Sequence, residues 1–211
     1  MQKQLRSKIV VVIFVCIVIM RYNLSEIADV FTGHTLREKV EHDPHGKFTL
    51  IQLKDLSITP SVIIKHPPFK ISSPDVPQKQ ILRPGDILLL TKGSTNKALL
   101  YERQYEPALA VSAFTIIRLH KGQLEPAFLA WYINSTEAQE YFNMHRAGTT
   151  TLNLSKKAID ELSVPVPTLE KQALMMKLVN QYELYKGLAA EYENNIRLLV
   201  EHTLHNHLNE Q

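Results

Sequence analysis

Eight basic side chains, Lys92, Lys97, Arg103, Arg118, Lys121, Arg146, Lys156 and Lys157, fall in or beside predicted turns. They are interleaved with Ser94, Thr95, Asn96, Thr149, Thr150, Thr151 and Asn153. Lys, Arg, hydroxyls and main-chain N–H groups satisfy phosphate oxygens, whereas Asn, Gln, Arg and Ser/Thr held on a rigid scaffold suit base edges. The turns contain both kinds, so the chemistry they offer is that of a binding surface. Basic polar loops are more often simply solvated, and this signal needs support from elsewhere in the chain.

Catalysis finds less to work with. His66-Pro67-Pro68-Phe69 is similar to the Asn-Pro-Pro-Phe/Tyr signature of amino methyltransferases, but His66 stands where an acceptor for the target amino group is needed. No glycine-rich turn after a strand is present to bind a methyl-donor cofactor. A Pro-rich loop that packs Phe69 is the simpler reading. His202, His205 and His207 lack the i,i+4 spacing of a zincin and a supporting Cys, and read as a solvated helix end. Ser112 has no Gly-x-Ser-x-Gly context, and Cys16 is embedded in apolar residues. The acidic pairs Glu38/Glu41 and Asp160/Glu161 are more simply surface charges than an acid/base pair. No cofactor, metal site or catalytic residue is therefore expected.

Composition agrees with a folded, reduced chain. Its 211 residues are 45% hydrophobic and 21% charged, enough for one ordinary core or two small ones, and one Cys excludes a disulfide framework. The net charge is +3, which permits a polyanionic partner without demanding one. From Glu170 onward four basic residues face six acidic ones, a balance of −2, so the remainder carries +5.

Several elements must position the turns. Tyr22–Phe31 predicts a short helix, with Leu24, Ile27, Ala28 and Phe31 at helical spacing. Lys47–Leu56 alternates like a half-buried strand, and Ser61–Lys65 is a second candidate. In Leu82–Leu90, Pro84-Gly85 supplies a turn, Asp86 closes it, and four apolar residues form a buried strand. Ala108–Leu119 reads as a strand pair or one long strand, and Glu125–His145 as a helix. Ser155 can cap a short helix to Leu162, after which Val164-Pro165-Val166-Pro167 must be extended.

A last helix runs from Thr168 to about His207. Met175, Leu178, Tyr182, Tyr185, Ala189, Tyr192, Ile196 and Leu199 follow alternating steps of 3 and 4, a heptad seam. At ~1.5 Å per residue, ~40 residues extend ~60 Å, so part of the helix projects and its seam calls for a partner helix. Packing back onto its own domain is the alternative. Residues 9–20 form an apolar run behind a basic start, shorter than the ~20 residues that span a bilayer. Their Val and Ile content favours a buried strand or a non-native extension, with an uncleaved membrane anchor left open. Met20 stands just before the domain pattern, which fits a misplaced start codon.

The ordered motifs resemble the specificity (S) subunits of type I restriction-modification systems. The resemblance rests on Tyr22 to Ala28, Phe31-Thr32-Gly33, Leu82 to Leu89, Val111-Ser112, Leu124 to Leu129, Gly148-Thr149 through Leu154-Ser155, and Leu162 through Gln172. It covers roughly Tyr22 to His207. It implies an α+β fold: a mixed α/β target recognition domain with a twisted, mostly antiparallel sheet, followed by a long C-terminal coiled-coil helix. The implied division is an apolar extension at 1–21, the recognition domain at 22–167 and a spacer or dimerisation helix at 168–211.

Family members usually hold two recognition domains and two helices, and here one of each is present. The resemblance implies a non-catalytic, cytoplasmic subunit that binds double-stranded DNA and docks methyltransferase (M) subunits and, through them, the restriction (R) subunit. A half-size subunit would form a homodimer through the Met175 to Leu199 seam and meet an inverted-repeat target. Lys92, Ser94, Asn96, Lys97, Thr149, Thr150 and Asn153 are then the expected DNA contacts, the lysines on phosphates and Asn96 or Asn153 on adenine. Pro84, Gly85 and Asp86 are assigned to turn structure. A membrane-tethered interaction protein and a truncated, non-functional remnant of a specificity subunit are the alternatives.

Overall fold

Residues 87–90, Ile-Leu-Leu-Leu, are apolar without alternation because the strand they form is covered on both faces. In a computed structural model the described residues are 19–36, 41–55, 68–72, 76–92, 96–102, 107–122, 124–147 and 153–209. The chain runs β1 (Met20–Asn23), α1 (Leu24–Ile27), β2 (Ala28–Thr32), β3 (Phe48–Ile51), β4 (Lys70–Ile71), β5 (Ile87–Leu90), β6 (Ala98–Leu100), β7 (Ala108–Ala110) and β8 (Phe114–Leu119). It continues through α2 (Pro126–Ile133), α3 (Thr136–Met144), β9 (Arg146–Ala147), β10 (Asn153–Leu154), α4 (Lys156–Asp160), β11 (Ser163–Val166) and α5 (Leu169–Asn209).

The central sheet is antiparallel in the order β2-β8-β5-β6, and a second sheet, β4-β3-β7, contains the parallel pair β3 and β7. Two short antiparallel pairs, β1 with β11 and β9 with β10, complete the fold. Ile87, Leu89 and Ile117 face a core shared with Leu24, Phe128, Leu129, Ile133, Phe142 and Ile159 from the helices. Leu88, Leu90 and Ile116 face the other way, onto Ile51, Leu99, Tyr101 and Phe114. Phe48, Leu50, Ile71 and Leu109 form a third cluster, on which Phe69 packs. The α+β class with a mostly antiparallel sheet and a long C-terminal helix is thus what the sequence led one to expect.

Three local expectations are corrected. Tyr22–Phe31 is helical only over Leu24–Ile27; Ala28–Thr32 alternates buried and exposed positions and joins the central sheet as β2. The helix expected over Glu125–His145 breaks after Ile133, where the Asn134 side chain bonds the main chain of Ala98 and Ser135 caps α3 by accepting from Ala138 N. Over Lys47–Leu56 the strand is only β3, buried along its whole length, and a 3-10 turn follows at Leu53–Asp55. The candidate strand at 61–65 and the apolar run at 9–18 lie outside the described residues.

The Pro84-Gly85-Asp86 turn is structural, as expected. Gly85 has φ +89°, a conformation that favours glycine, and its α-carbon faces Pro126 so closely that a Cβ would lie 3.2 Å from Cγ. Asp86 accepts from Arg83 N at 2.8 Å, closing the turn, and a bidentate pair from Arg118 Nε (2.8 Å) and Nη2 (2.7 Å).

Candidate nucleic-acid interface

The hairpin between β5 and β6 ends the central sheet at its outer strand, β6, an edge whose main-chain groups need covering. Asn134 supplies that cover in the manner of a neighbouring strand: its Oδ1 accepts from Ala98 N (2.9 Å) and its Nδ2 donates to Ala98 O (2.8 Å). One turn of helix further on, Gln139 Nε2 donates to Asn96 O (2.9 Å) and to Ile133 O (2.8 Å). The helix break at 134–135 therefore aims two amide side chains at the end of the 92–97 turn.

The strands that flank the second predicted turn arrive at the same place. Strands β9 and β10 pair Asn153 with Ala147 and Leu154 with Arg146, and Lys92 forms an antiparallel bridge with Asn153. Leu154 N donates to Thr91 O at 3.1 Å, and Thr91 itself is tied to the 111–113 turn through its N–H to Ala113 O (3.1 Å). Two stretches about 60 residues apart along the chain are thus held side by side by main-chain bonds, which is what a preformed binding surface requires.

Within this cluster the expected contacts divide. Lys92 and Asn153 are exposed and adjacent. Lys97 is partly buried, and that burial pushes its ammonium pKa below the usual lysine value, a cost that an approaching anion offsets. Asn96 is only 1% exposed; its Nδ2 donates to Leu90 O (3.0 Å) and its Oδ1 accepts from Arg146 Nε (2.8 Å). Both ends of the amide that the sequence suggested for adenine are spent inside the chain. Ser94, Thr149 and Thr150 lie outside the described residues.

Of the other basic residues of the predicted turns, Arg146 belongs to this cluster, Arg103 lies outside the described residues, and the remaining four are placed elsewhere. Arg118 is half-buried and paired with Asp86, Lys156 and Lys157 pair with Asp160 and Glu161 one helical turn on, and Lys121 sits beyond β8 at the opposite end of the sheet. Sequence reasoning missed Asn134 and Gln139; the Asn-Ser-Thr-Glu stretch that stops one helix and caps the next was the available signal.

The helix seam divides too. Met175 is half-buried and packs with Met176 on the helix-side core, and Gln172, fully buried, accepts from Glu125 N (2.9 Å) and donates to Pro167 O (2.7 Å). Leu178, Tyr182, Tyr185, Ala189, Tyr192, Ile196 and Leu199 are all exposed, Tyr185 and Tyr192 at 69% each. At 100° per residue, Met175 and Tyr182 point within about 20° of each other, so the exposed stripe continues from the edge of the face that docks on the domain (Gln172, Met175, Met176).

The family model for the type I restriction modification DNA specificity domain matches residues 19–196. Among solved structures, the S subunit of a type I restriction-modification system from M. genitalium aligns with TM-score 0.52 and 15% identity, over 78% of this chain and 38% of that one. The HsdS subunit from Thermoanaerobacter tengcongensis aligns with TM-score 0.58 and 18% identity, over 85% and 47%. A chain from work on complex assembly and conformational transition of the type I R-M system aligns with TM-score 0.58 and 18% identity, over 79% and 38%. The present chain thus spans less than half the length of each of these structures. No curated protein matches.

Proposed function

Because this chain belongs to the type I restriction modification DNA specificity domain family, we propose that it is a sequence-specific DNA-binding specificity subunit that directs methylation and restriction by a type I complex. The observation that carries this reading is the convergence of the 92–97 turn and the β9–β10 hairpin, which sets exposed Lys92 beside exposed Asn153. Lysine neutralises a phosphate and fixes register, and a carboxamide on a rigid strand donates from its NH2 to adenine N7 and accepts at its oxygen from the adenine N6 amino group in the major groove. The subunit recognises DNA without chemistry of its own and leaves methyl transfer and cleavage to M and R subunits, working in the cytoplasm.

The exposed seam of α5 is the surface for a partner helix. A second copy joined through it would place two recognition domains about a two-fold axis and call for a bipartite inverted repeat. Among the described residues no helix is long and apolar enough to cross a membrane, and residues 9–18 of the apolar run that motivates the membrane-tethered alternative lie outside them.

The test is a salt titration of duplex binding by the chain, together with co-purification with M subunits and mapping of methylated sites in DNA exposed to the complex. Binding should weaken linearly on a log–log plot as counterions are released. Affinity that ignores salt, or a complex with M that methylates no defined sequence, overturns the reading.

A further inference from the structure

The recognition reading leaves Asn96 without a direct task, since a side chain 1% exposed has no surface to offer a base. Yet it joins three elements of the cluster. Its Nδ2 holds the end of β5 through Leu90 O, its Oδ1 holds the base of the β9–β10 hairpin through Arg146 Nε, and its main-chain oxygen is held by Gln139 of α3. A carboxamide is the side chain that donates and accepts at once at this length; Asp loses the donor, and Ala loses both. A buried group of this kind is costly unless every valence is met, and here both ends are met by different elements.

We propose that Asn96 is a positioning residue that locks the end of β5 and strands β9 and β10 into a single reading unit, so that bases facing Asn153 are discriminated through the geometry of both. The proposal rests on the recognition reading for its consequence and on the chain's own hydrogen bonds for its mechanism. Discrimination then belongs to exposed groups such as Asn153, whose placement relative to the phosphate-binding Lys92 is fixed from beneath by Asn96. Loosening the brace leaves phosphate contacts nearly intact, because these tolerate displacement, while base contacts, which need sub-ångström placement, are lost.

Two measurements on the full chain decide it. In the DNA-free protein, Asn96→Ala should speed amide hydrogen exchange at Leu154, whose N–H bonds Thr91 O, by about tenfold, with the Ile117 amide of the central sheet unchanged. Acceleration confined to residues 90–98 overturns the brace. If Asn96→Ala unfolds the domain, Gln139→Ala removes the support from the α3 side and is judged by the same amides.

In the second measurement, duplexes are enriched by the wild-type chain from a random-sequence pool, and discrimination is the ratio of their affinity to that of the unselected pool. Asn96→Ala should lower this ratio about tenfold while leaving pool affinity and its salt slope nearly unchanged. Arg146→Ala combined with Asn96→Ala should lose little more discrimination than either change alone, because both break the same link. Losses that multiply, or an unchanged ratio, overturn the proposal. A wild-type chain that enriches no sequence overturns the recognition reading instead, and the exchange measurement then decides the brace by itself.

Discussion

The guanidinium of Arg118 makes four hydrogen bonds inside the chain, two to Asp86 and one each to Lys79 O and Ile81 O, and lies 5.2 Å from the Phe31 ring centroid. Its partner carboxylate is 2% exposed, so removing the cation strands a buried charge. Arg118→Met should therefore lower the unfolding free energy by about 3–5 kcal/mol, read from the urea midpoint, and leave DNA binding by the folded fraction unchanged. A loss below about 1 kcal/mol would assign the pair the small worth of surface ion pairs. Lys92 is the opposite case, exposed and beside Asn153. Lys92→Ala should weaken binding to all duplexes alike and reduce the salt slope by about 0.9, leaving thermal stability within experimental scatter. An unchanged slope would take Lys92 off the phosphates.

At the scale of elements, the junction of domain and helix turns on Gln172. Its side chain ties the start of α2 at Glu125 to the end of the extended segment at Pro167. Gln172→Leu keeps the volume but leaves the buried Pro167 O and the part-buried Glu125 N–H unpaired, and should destabilise the domain by about 1–3 kcal/mol in urea melts. A neutral result would show that solvent reaches those groups. The sequence flagged Gln172 only as part of a motif, because its partners are 47 and 5 residues away and no local pattern names them. What periodicity and turn chemistry reveal, namely Pro84-Gly85-Asp86, the Ile-Leu-Leu-Leu strand, the Ser155 cap and the long helix, was legible. The break after Ile133 went unread although the Asn134-Ser135 cap signals it locally; what propensity could not show is the contact of Asn134 with Ala98 at the sheet edge. The same limit explains Asn96: residue type made it a reader of bases, and only the fold shows where its amide points.

For the whole molecule, the decisive property is that α5 leaves the domain after its first turns. Beyond residue 179 nearly every position is exposed, and the 30 residues from Asn180 to Asn209 carry the seam about 45 Å away from the core. A lone helix of that length gains nothing from burial, so its apolar stripe is stable in water only when covered. Tyr182, Tyr185 and Tyr192 supply most of the side-chain area on that stripe, and none packs on the chain's own domain. Replacing Tyr185 and Tyr192 together with Glu sets two charges on the seam without touching the core. If the seam joins two copies, the light-scattering mass should fall from dimer to monomer while the domain's urea midpoint and its affinity for unselected duplex stay close to wild type. A double variant whose mass is unchanged removes the seam from the assembly. A variant that loses mass and domain stability together would mean that the recognition domain needs its partner to fold, contrary to a core in which only the first turns of α5 take part.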